Sequence, residues 1–349
     1  MSETTDTLPP PPPPPAPRPS LARRLLSTLT WLYLLTLLAL YLLMRQTADH
    51  WWPATLIAFG PRWVFATPVI LLAPLALLFH RRALIPLAAA LLTLVALLDF
   101  TIPWRKLARI RPGAPLRVLS CNIDHQSLDA RAMGALLASA KPDVILFQEW
   151  NNDHLLPLFP DRTTYPYFRG SGELFIASRY PFRKAEDIGQ RWPAFTAGAA
   201  IRYEIDTPAG TVDVYNLHLA SPHFAFDKVI ARTGDFPHAV QANSDHRRRQ
   251  LENLAASLAK RDRPYLLAGD FNTPEDTPNF RQNLGHLQDA FTVAGAGPGH
   301  TYFARWTQTR IDHLLASPHW QVTHCTVGPN VHSPHRPLIT DLQLPTPPK

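Results

Sequence analysis

Apolar positions fall into long blocks over the first hundred residues and into short runs after that. Leu25 to Met44 is apolar except for Ser27, Thr28, Thr30 and Thr36. It is long enough to cross a bilayer. It is too long for the core of a signal peptide and lacks a small-residue cleavage site, so it predicts an uncleaved span. A second block covers Trp63 to Phe79, and a third covers Ala83 to Phe100 after His80-Arg81-Arg82. Trp51, Trp52, Trp63 and Trp104 stand at block ends, where aromatic side chains favour the membrane interface. Pro68, Pro74 and Pro86 are tolerated within bundled spans. The alternative is a buried helical hairpin of a soluble protein.

From Leu116 the pattern is α/β. Short apolar runs predict strands at Leu116–Asn122, Val144–Gln148, Leu174–Ser178, Gly198–Ile205, Val212–Leu219, Tyr265–Ala268, Ile311–Ala316 and Leu338–Leu342. Helical spacing marks Ala130–Ser139 and Asp245–Lys260, the latter with Leu251, Leu254, Ala255 and Leu258 on one face. The basic run His246 to Arg249 reads as a solvated helix end, with a phosphate contact as the alternative. No internal repeat is visible.

Composition adds boundaries. Pro9–Pro15, Pro17 and Pro19 make residues 1–20 a proline-rich tail that cannot build a core. The chain then divides into a membrane domain at 21–104, with spans at about 25–44, 63–79 and 83–100. A basic linker at 105–115, a large α/β domain at 116–344 and a short tail at 345–349 follow. Residues 1–112 hold 11 Lys/Arg and 4 Asp/Glu, which accounts for the whole net charge of +7. The large domain is therefore neutral, which disfavours a nucleic-acid partner, since such proteins release counterions with a basic patch. Cys121 and Cys325 are the only cysteines. They read as two free buried thiols, and they exclude a disulfide framework or Cys-based zinc site.

Arg18, Arg23, Arg24 and the tight Arg81-Arg82 turn favour a cytoplasmic N-terminus. Arg105, Lys106, Arg109 and Arg111 pull the other way. The first span usually dominates, so the expectation is a multi-pass inner-membrane protein with an extracytoplasmic, periplasmic domain.

Several predicted strands end in polar residues. Asn122 ends the first, with Asp124 beyond it, and Glu149 follows the second. His218 ends a third. Asp270 and Asn272 follow Tyr265-Leu-Leu-Ala-Gly269, and alternate side chains on extended backbone point the same way. Asp312 opens another run, and His335 precedes the last. Each alone also fits an ordinary strand-end turn. Together they supply a water-activating carboxylate (Asp270), an amide and an imidazole for non-bridging phosphate oxygens (Asn272, His218), and a histidine polarised by a carboxylate (His335, Asp312). Glu149 and Asn122 are oxygen ligands suited to a hard cation such as Mg2+, with Mn2+ as an alternative.

These segments resemble the endonuclease/exonuclease/phosphatase superfamily. Val118-Leu-Ser-Cys-Asn122, Asp143-Val-Ile-Leu-Phe-Gln-Glu149, Ile176-Ala-Ser-Arg-Tyr-Pro181, Asn216-Leu-His-Leu219, Gly269-Asp-Phe-Asn272, Arg310-Ile-Asp-His313 and His335-Arg-Pro-Leu338 carry the resemblance, in the family's order. It implies a two-sheet, four-layer α/β sandwich, here preceded by three transmembrane helices. It implies metal binding at Asn122 and Glu149, an auxiliary position at Asp124, and catalytic or phosphate-binding roles for Asp270, Asn272, Asp312, His335 and His218. One departure stands out: the family usually has Ser-Asp-His before Arg-Pro, and this chain has Ser333-Pro334-His335. The missing carboxylate is a supplementary metal ligand in the family, so metal binding is expected to be weaker or altered, with Glu275, Asp276 and His332 as candidate substitutes.

Membrane segments ahead of such a domain look like a bacterial branch that includes membrane phosphatases linked to glycopeptide resistance. The expected activity is hydrolysis of a lipid-linked or small phosphate ester beside membrane lipids. Two alternatives remain: an exported nuclease, and a non-catalytic membrane scaffold. Asn151–Gly172, Gly189–Ala197 and Ser221–Ser244 are the candidate specificity loops.

Overall fold

The apolar blocks fold as helices packed against one another, and the short runs as two stacked sheets. The computed structural model describes residues 20–103, 111–124, 127–150, 153–159, 162–189, 198–208 and 210–345. The proline-rich tail, most of the basic linker, Trp104, residues 346–349 and the predicted loop at 190–197 lie outside them.

The first helix, α1 (Leu21–Thr47), is followed by a short α2 (Trp52–Phe59), by α3 (Thr67–Phe79) entered through a 3-10 turn at Arg62–Ala66, and by α4 (Leu84–Leu97). Leu26, Leu34, Leu37, Ala76, Leu87, Ala90 and Leu94 form their shared core. Two helical stretches are long and apolar enough to cross a membrane, Leu21–Thr47 and Arg62–Phe79. The third predicted span differs: α4 has 14 residues, about 21 Å at 1.5 Å per residue, short of a ~30 Å hydrocarbon core.

The sandwich consists of β1 (Gly113–Asn122), α5 (Ala130–Ala140), β2 (Val144–Gln148), β3 (Tyr167–Ser171), β4 (Leu174–Ser178), β5 (Phe182–Asp187), β6 (Ala199–Thr207), β7 (Gly210–His218), α6 (His223–Ile230), α7 (Phe236–Leu258), β8 (Tyr265–Asp270), α8 (Pro278–Leu284), β9 (Gln288–Asp289), α9 (Ala290–Ala294), β10 (Tyr302–Phe303), β11 (Gln308–Thr309), β12 (Asp312–Ala316), β13 (Gln321–Val327) and β14 (Leu338–Pro345). One sheet runs β13-β14-β1-β2-β4-β3 and the other β5-β6-β7-β8-β12-β9. Each holds one parallel pair near its centre, β1 with β2 and β7 with β8. Parallel neighbours need a crossover, which α5 supplies in one sheet and α6 with α7 in the other.

Inward residues of both sheets, among them Val118, Leu146, Ile176, Val214, Leu266 and Leu314, form the central core. The outer faces are covered by α5 on one side, through Met133, Leu136 and Leu137, and by α7 on the other, through Leu251, Leu254 and Leu258. The result is the expected four layers. Cys121 and Cys325 are free and buried.

Some elements differ from the sequence reading. Helix α7 begins at Phe236, and α6 precedes it, so much of the expected Ser221–Ser244 loop is helical. Arg247 is not part of a solvated helix end. It is buried, its Nη1 donates to the Ala220 carbonyl, and its guanidinium lies over the Phe59 ring.

The helical segment docks on the sandwich through polar contacts. Arg62 donates to the carbonyls of Ala58 and Leu97 and to both carboxylate oxygens of Asp276, at 2.8 and 3.0 Å. Asp49 Oδ2 accepts from the Asn279 amide, Thr307 Oγ1 donates to the Phe59 carbonyl, and Arg310 pairs with Asp99. Removing one partner of a buried ion pair strands the other. Arg62→Met should therefore cost about 3 kcal/mol, read as a lower Tm and as faster proteolysis between α4 and β1.

Candidate active site

The site grows out of the alternation that builds the core. On β1 the inward row runs Leu116, Val118, Ser120, Asn122. On β2 it is Val144, Leu146, Gln148; on β7, Val212, Val214, Asn216, His218; on β8, Leu266, Ala268, Asp270. Each row starts apolar and ends polar, over its last position on β2 and β8 and its last two on β1 and β7. Strand β12 runs antiparallel to β8, so its row starts at this end with Asp312. Register brings the ends together: Asn122 faces Gln148, His218 faces Asp270, and Asp270 faces Asp312. The two sheets are tied here by a buried bond from Gln148 Nε2 to Asn216 Oδ1 at 2.7 Å.

Asp270 is the hub. Its Oδ2 accepts from Asn122 Nδ2 at 3.1 Å, and its Oδ1 accepts from the Asn272 amide at 2.8 Å. The Nε2 atoms of His218 and His335 each lie 3.7 Å from Oδ2. The other ring nitrogen of His335 donates to Asp312, 2.9 Å from Oδ2. Since the carboxylate only accepts, that bond fixes a proton on Nδ1 and turns Nε2 toward the cleft. Asn122 Nδ2 also donates to Glu149 Oε1 at 2.9 Å. The Asp124 amide caps Asn122 Oδ1 at 3.0 Å.

Burial shifts these groups strongly. Asp270 is raised above the usual carboxylate range, first by burial and then by the charge of Asp312, against the opposing pull of His335 and His218. Burial alone would lower His335, but Asp312 and Asp270 outweigh it and push it up to about 9. His218 is also pushed up to about 9, its burial overcome by Glu173, Asp270 and Glu149.

Backbone strain sits at the same place. Glu149 and Asn272 have positive φ, 55° and 47°, a region costly for residues with a Cβ. Gly269 has φ 146°, and a Cβ there would lie 1.9 Å from the Leu217 carbonyl oxygen. Gly269→Ala must therefore separate β7 from β8 beside the site. Its expected cost is roughly 3 kcal/mol, about 10 °C in Tm for a domain of this size.

The predicted residues Asn122, Glu149, His218, Asp270, Asn272, Asp312 and His335 thus lie at one end of the sandwich, and Asp124, Glu149, Asp270, Asn272 and His335 line one cleft of about 590 Å³. Asn272 Nδ2 is engaged by the Leu219 carbonyl at 2.9 Å. Ser333 Oγ donates to the Asn122 carbonyl and accepts from the His335 amide, fastening the histidine loop to β1. Pro334 lines the cleft.

The candidate substitutes for its missing carboxylate are employed elsewhere. Glu275 pairs with Arg310 and Asp276 with Arg62, and His332 is an exposed residue whose amide bonds Asn330. Sequence reasoning missed Glu173 beside His218 (3.2 Å), Tyr302 against the His335 ring (centroids 4.9 Å) and Phe59 in the cleft wall. None belongs to a segment that the apolar pattern marks.

Oxygen donors fit a hard divalent cation here. The described residues lining the cleft include four carboxylates, Asp124, Glu149, Asp227 and Asp270, and no lysine or arginine. Such an acidic excess calls for an external cation. Glu149 and Asn122 would hold it, with Asp124 at the rim. Asp270, Asp312 and His335 also approach closely enough to be read as ligands, but the direct Asp312–His335 bond accounts for that grouping.

A family model described as the endonuclease/exonuclease/phosphatase family matches residues 119–335. No curated protein matches the sequence. Among solved structures, an endonuclease/exonuclease/phosphatase from Beutenbergia cavernae DSM 12333 superposes with TM-score 0.49 at 20% identity, over 68% of this chain and 72% of that one. Humanized D. rerio TDP2 with 14 mutations gives 0.50 at 17%, over 66% and 99%. D. rerio TDP2 complexed with a single-strand DNA product gives 0.50 at 16%, over 66% and 99%. At these identities the likeness concerns the fold alone.

Proposed function

The chain belongs to the endonuclease/exonuclease/phosphatase family of phosphoester hydrolases, and we propose that it is a membrane-anchored, divalent-metal-dependent member acting on a lipid-linked or small phosphate ester beside the bilayer. The observation that carries this reading is the convergence on Asp270 of an amide and two imidazoles supplied by separate strands and loops. Asp270 accepts a proton from the attacking water. His335, held by Asp312, presents Nε2–H to the phosphate oxygen on which charge builds, and His218 and the second Nδ2 hydrogen of Asn272 donate to the others. Mg2+ or Mn2+ at Glu149 and Asn122 supplies Lewis-acid polarisation of the phosphate when bound.

The membrane part of the reading is supported by exposed apolar surface on all of the longer N-terminal helices: Leu25, Leu32 and Leu35 on α1, Ile70, Leu71 and Leu78 on α3, Ile85 and Leu92 on α4. A continuous apolar patch of this kind needs lipid or a partner. The contacts of Asp49, Arg62 and Asp99 put one end of the bundle on the sandwich. By connectivity Arg23, Arg24, Arg81 and Arg82 lie at the other end. With that basic end in the cytoplasm, α1 and the Arg62–Phe79 stretch as spans and the shorter α4 as the return to the sandwich follow the positive-inside tendency and leave the sandwich extracytoplasmic. A reporter fused after Lys349 that is active only in the cytoplasm would overturn this orientation.

The nuclease alternative has a structural relative captured with DNA, but a cleft with no lysine or arginine among its described lining residues offers little counterion release to a polyanion. The deciding experiment is a panel of lipid phosphates, polyprenyl pyrophosphate, soluble mono- and diesters and DNA, with and without Mg2+. Hydrolysis of a non-nucleic ester that stops without metal is expected. Preferential cleavage of DNA would replace this reading with the nuclease.

A further inference from the structure

Part of the cleft lining is polar, and part is large and apolar. Besides Glu149, Asp270 and His335 it includes Phe59 from α2 and Phe224, Phe226 and Ile230 from α6, a helix that also brings His223 and Asp227. Phe226 and Phe59 pack edge to face, with centroids 5.3 Å apart. Phe224 and Ile230 are each 80% exposed, although both line the cavity. Large apolar side chains held open at a cleft beside a charged site are unfavourable in water unless something covers them.

The position of this wall says what covers it. Phe59 ends the helix that joins the two longest apolar stretches, so the wall continues directly into the membrane segment. The β10–β11 hairpin forms another side of the cleft through Tyr302, Ala304 and Thr307. Its tip carries the exposed Trp306, whose carbonyl accepts from the exposed Trp63 indole at 3.3 Å. Trp63 stands where the second apolar stretch begins, and paired tryptophans at such a place mark headgroup level. The β10–β11 side of the cleft therefore lies beside the start of that apolar stretch, where a lipid surface would be.

We propose that the apolar wall of Phe59, Phe224, Phe226 and Ile230 is a slot for the hydrocarbon chain of a membrane lipid whose phosphoester reaches Asp270, and that α2 is thereby part of the substrate site. The proposal rests on the phosphoesterase reading above and narrows its substrate to amphiphiles. A phosphate lifted out of the bilayer toward Asp270 drags its first methylenes out of lipid. The slot covers them, so chain and phosphate are gripped together, whereas a short ester gains nothing from it.

The test uses the full chain in nanodiscs with Mg2+. Two ester pairs share their reacting group and differ in chain: hexadecyl against butyl phosphate, and hexadecyl against methyl p-nitrophenyl phosphate. The ratio of long-chain to short-chain kcat/KM is compared between the wild type and F224D/I230D, whose positions are exposed and outside the catalytic set. The expected result is a ratio lowered roughly tenfold or more, with short-chain turnover within about twofold of wild type. An unchanged ratio, or an equal fall for both chains, overturns the slot.

If neither pair is hydrolysed, the phosphoesterase reading fails, and binding decides the slot separately. Calorimetric affinity for dodecyl phosphate that exceeds that for inorganic phosphate and drops in F224D/I230D upholds it. Equal affinities, or no drop, refute it.

Discussion

Asp270→Asn is expected to abolish turnover while leaving the protein as stable as before, or more so. As a general base, Asp270 is worth about 10²–10⁴ in kcat. The amide that replaces it can still accept from the Asn272 backbone, so the turn after β8 keeps its bond, while the bond from Asn122 Nδ2 is kept only if the Asn122 amide turns over. Burial and the Asp312 charge already raise the pKa of Asp270, so its ionised form is less stable in the fold than in water. Removing the charge relieves that penalty, and Tm should hold or rise. A residue kept for chemistry against its own stability behaves in this way. Turnover within tenfold of wild type would remove Asp270 from the reaction, and a lowered Tm would refute the electrostatic argument.

Chelation is expected to bring hydrolysis to background, with Mg2+ or Mn2+ restoring it, and Glu149→Gln should raise the metal concentration for half-activity by roughly a hundredfold or more. With Pro334 where relatives carry a carboxylate, Glu149 is the one acidic side chain expected to bind the ion directly. Pro334→Asp should lower the half-activating concentration, because that position lines the same cleft. Activity indifferent to chelation would overturn the metal assignment, and a Glu149→Gln titration matching wild type would move the ion elsewhere.

Much of this was legible in the chain because two signals coincide. Short apolar runs predict β1, β2, β7 and β8, and each run ends at or beside a polar side chain: Asn122, Glu149, His218, Asp270. A strand that ends polar on its inward face points its chemistry into the end of the sandwich, which residue order alone reveals. What escaped depends on partners distant in sequence. Strand β13 reads Gln-Val-Thr-His-Cys-Thr-Val, half of it polar, and is held in place by β14. Helix α6 mixes exposed Phe224 with buried Ala225 and has no face to detect until Phe59 is beside it. Arg247 looked solvated because nothing local to α7 says that α2 will cover it.

The place of β14 has a consequence for biogenesis. β14, which follows the other described strands in sequence, lies between β13 and β1 and pairs along eight positions of β1. His335 comes immediately before it. The first sheet therefore stays open until β14 has been made, and loop closure over that distance makes such pairing slow. Until β14 is made the hydrolytic centre is therefore unassembled as well, since His335 arrives only with that strand.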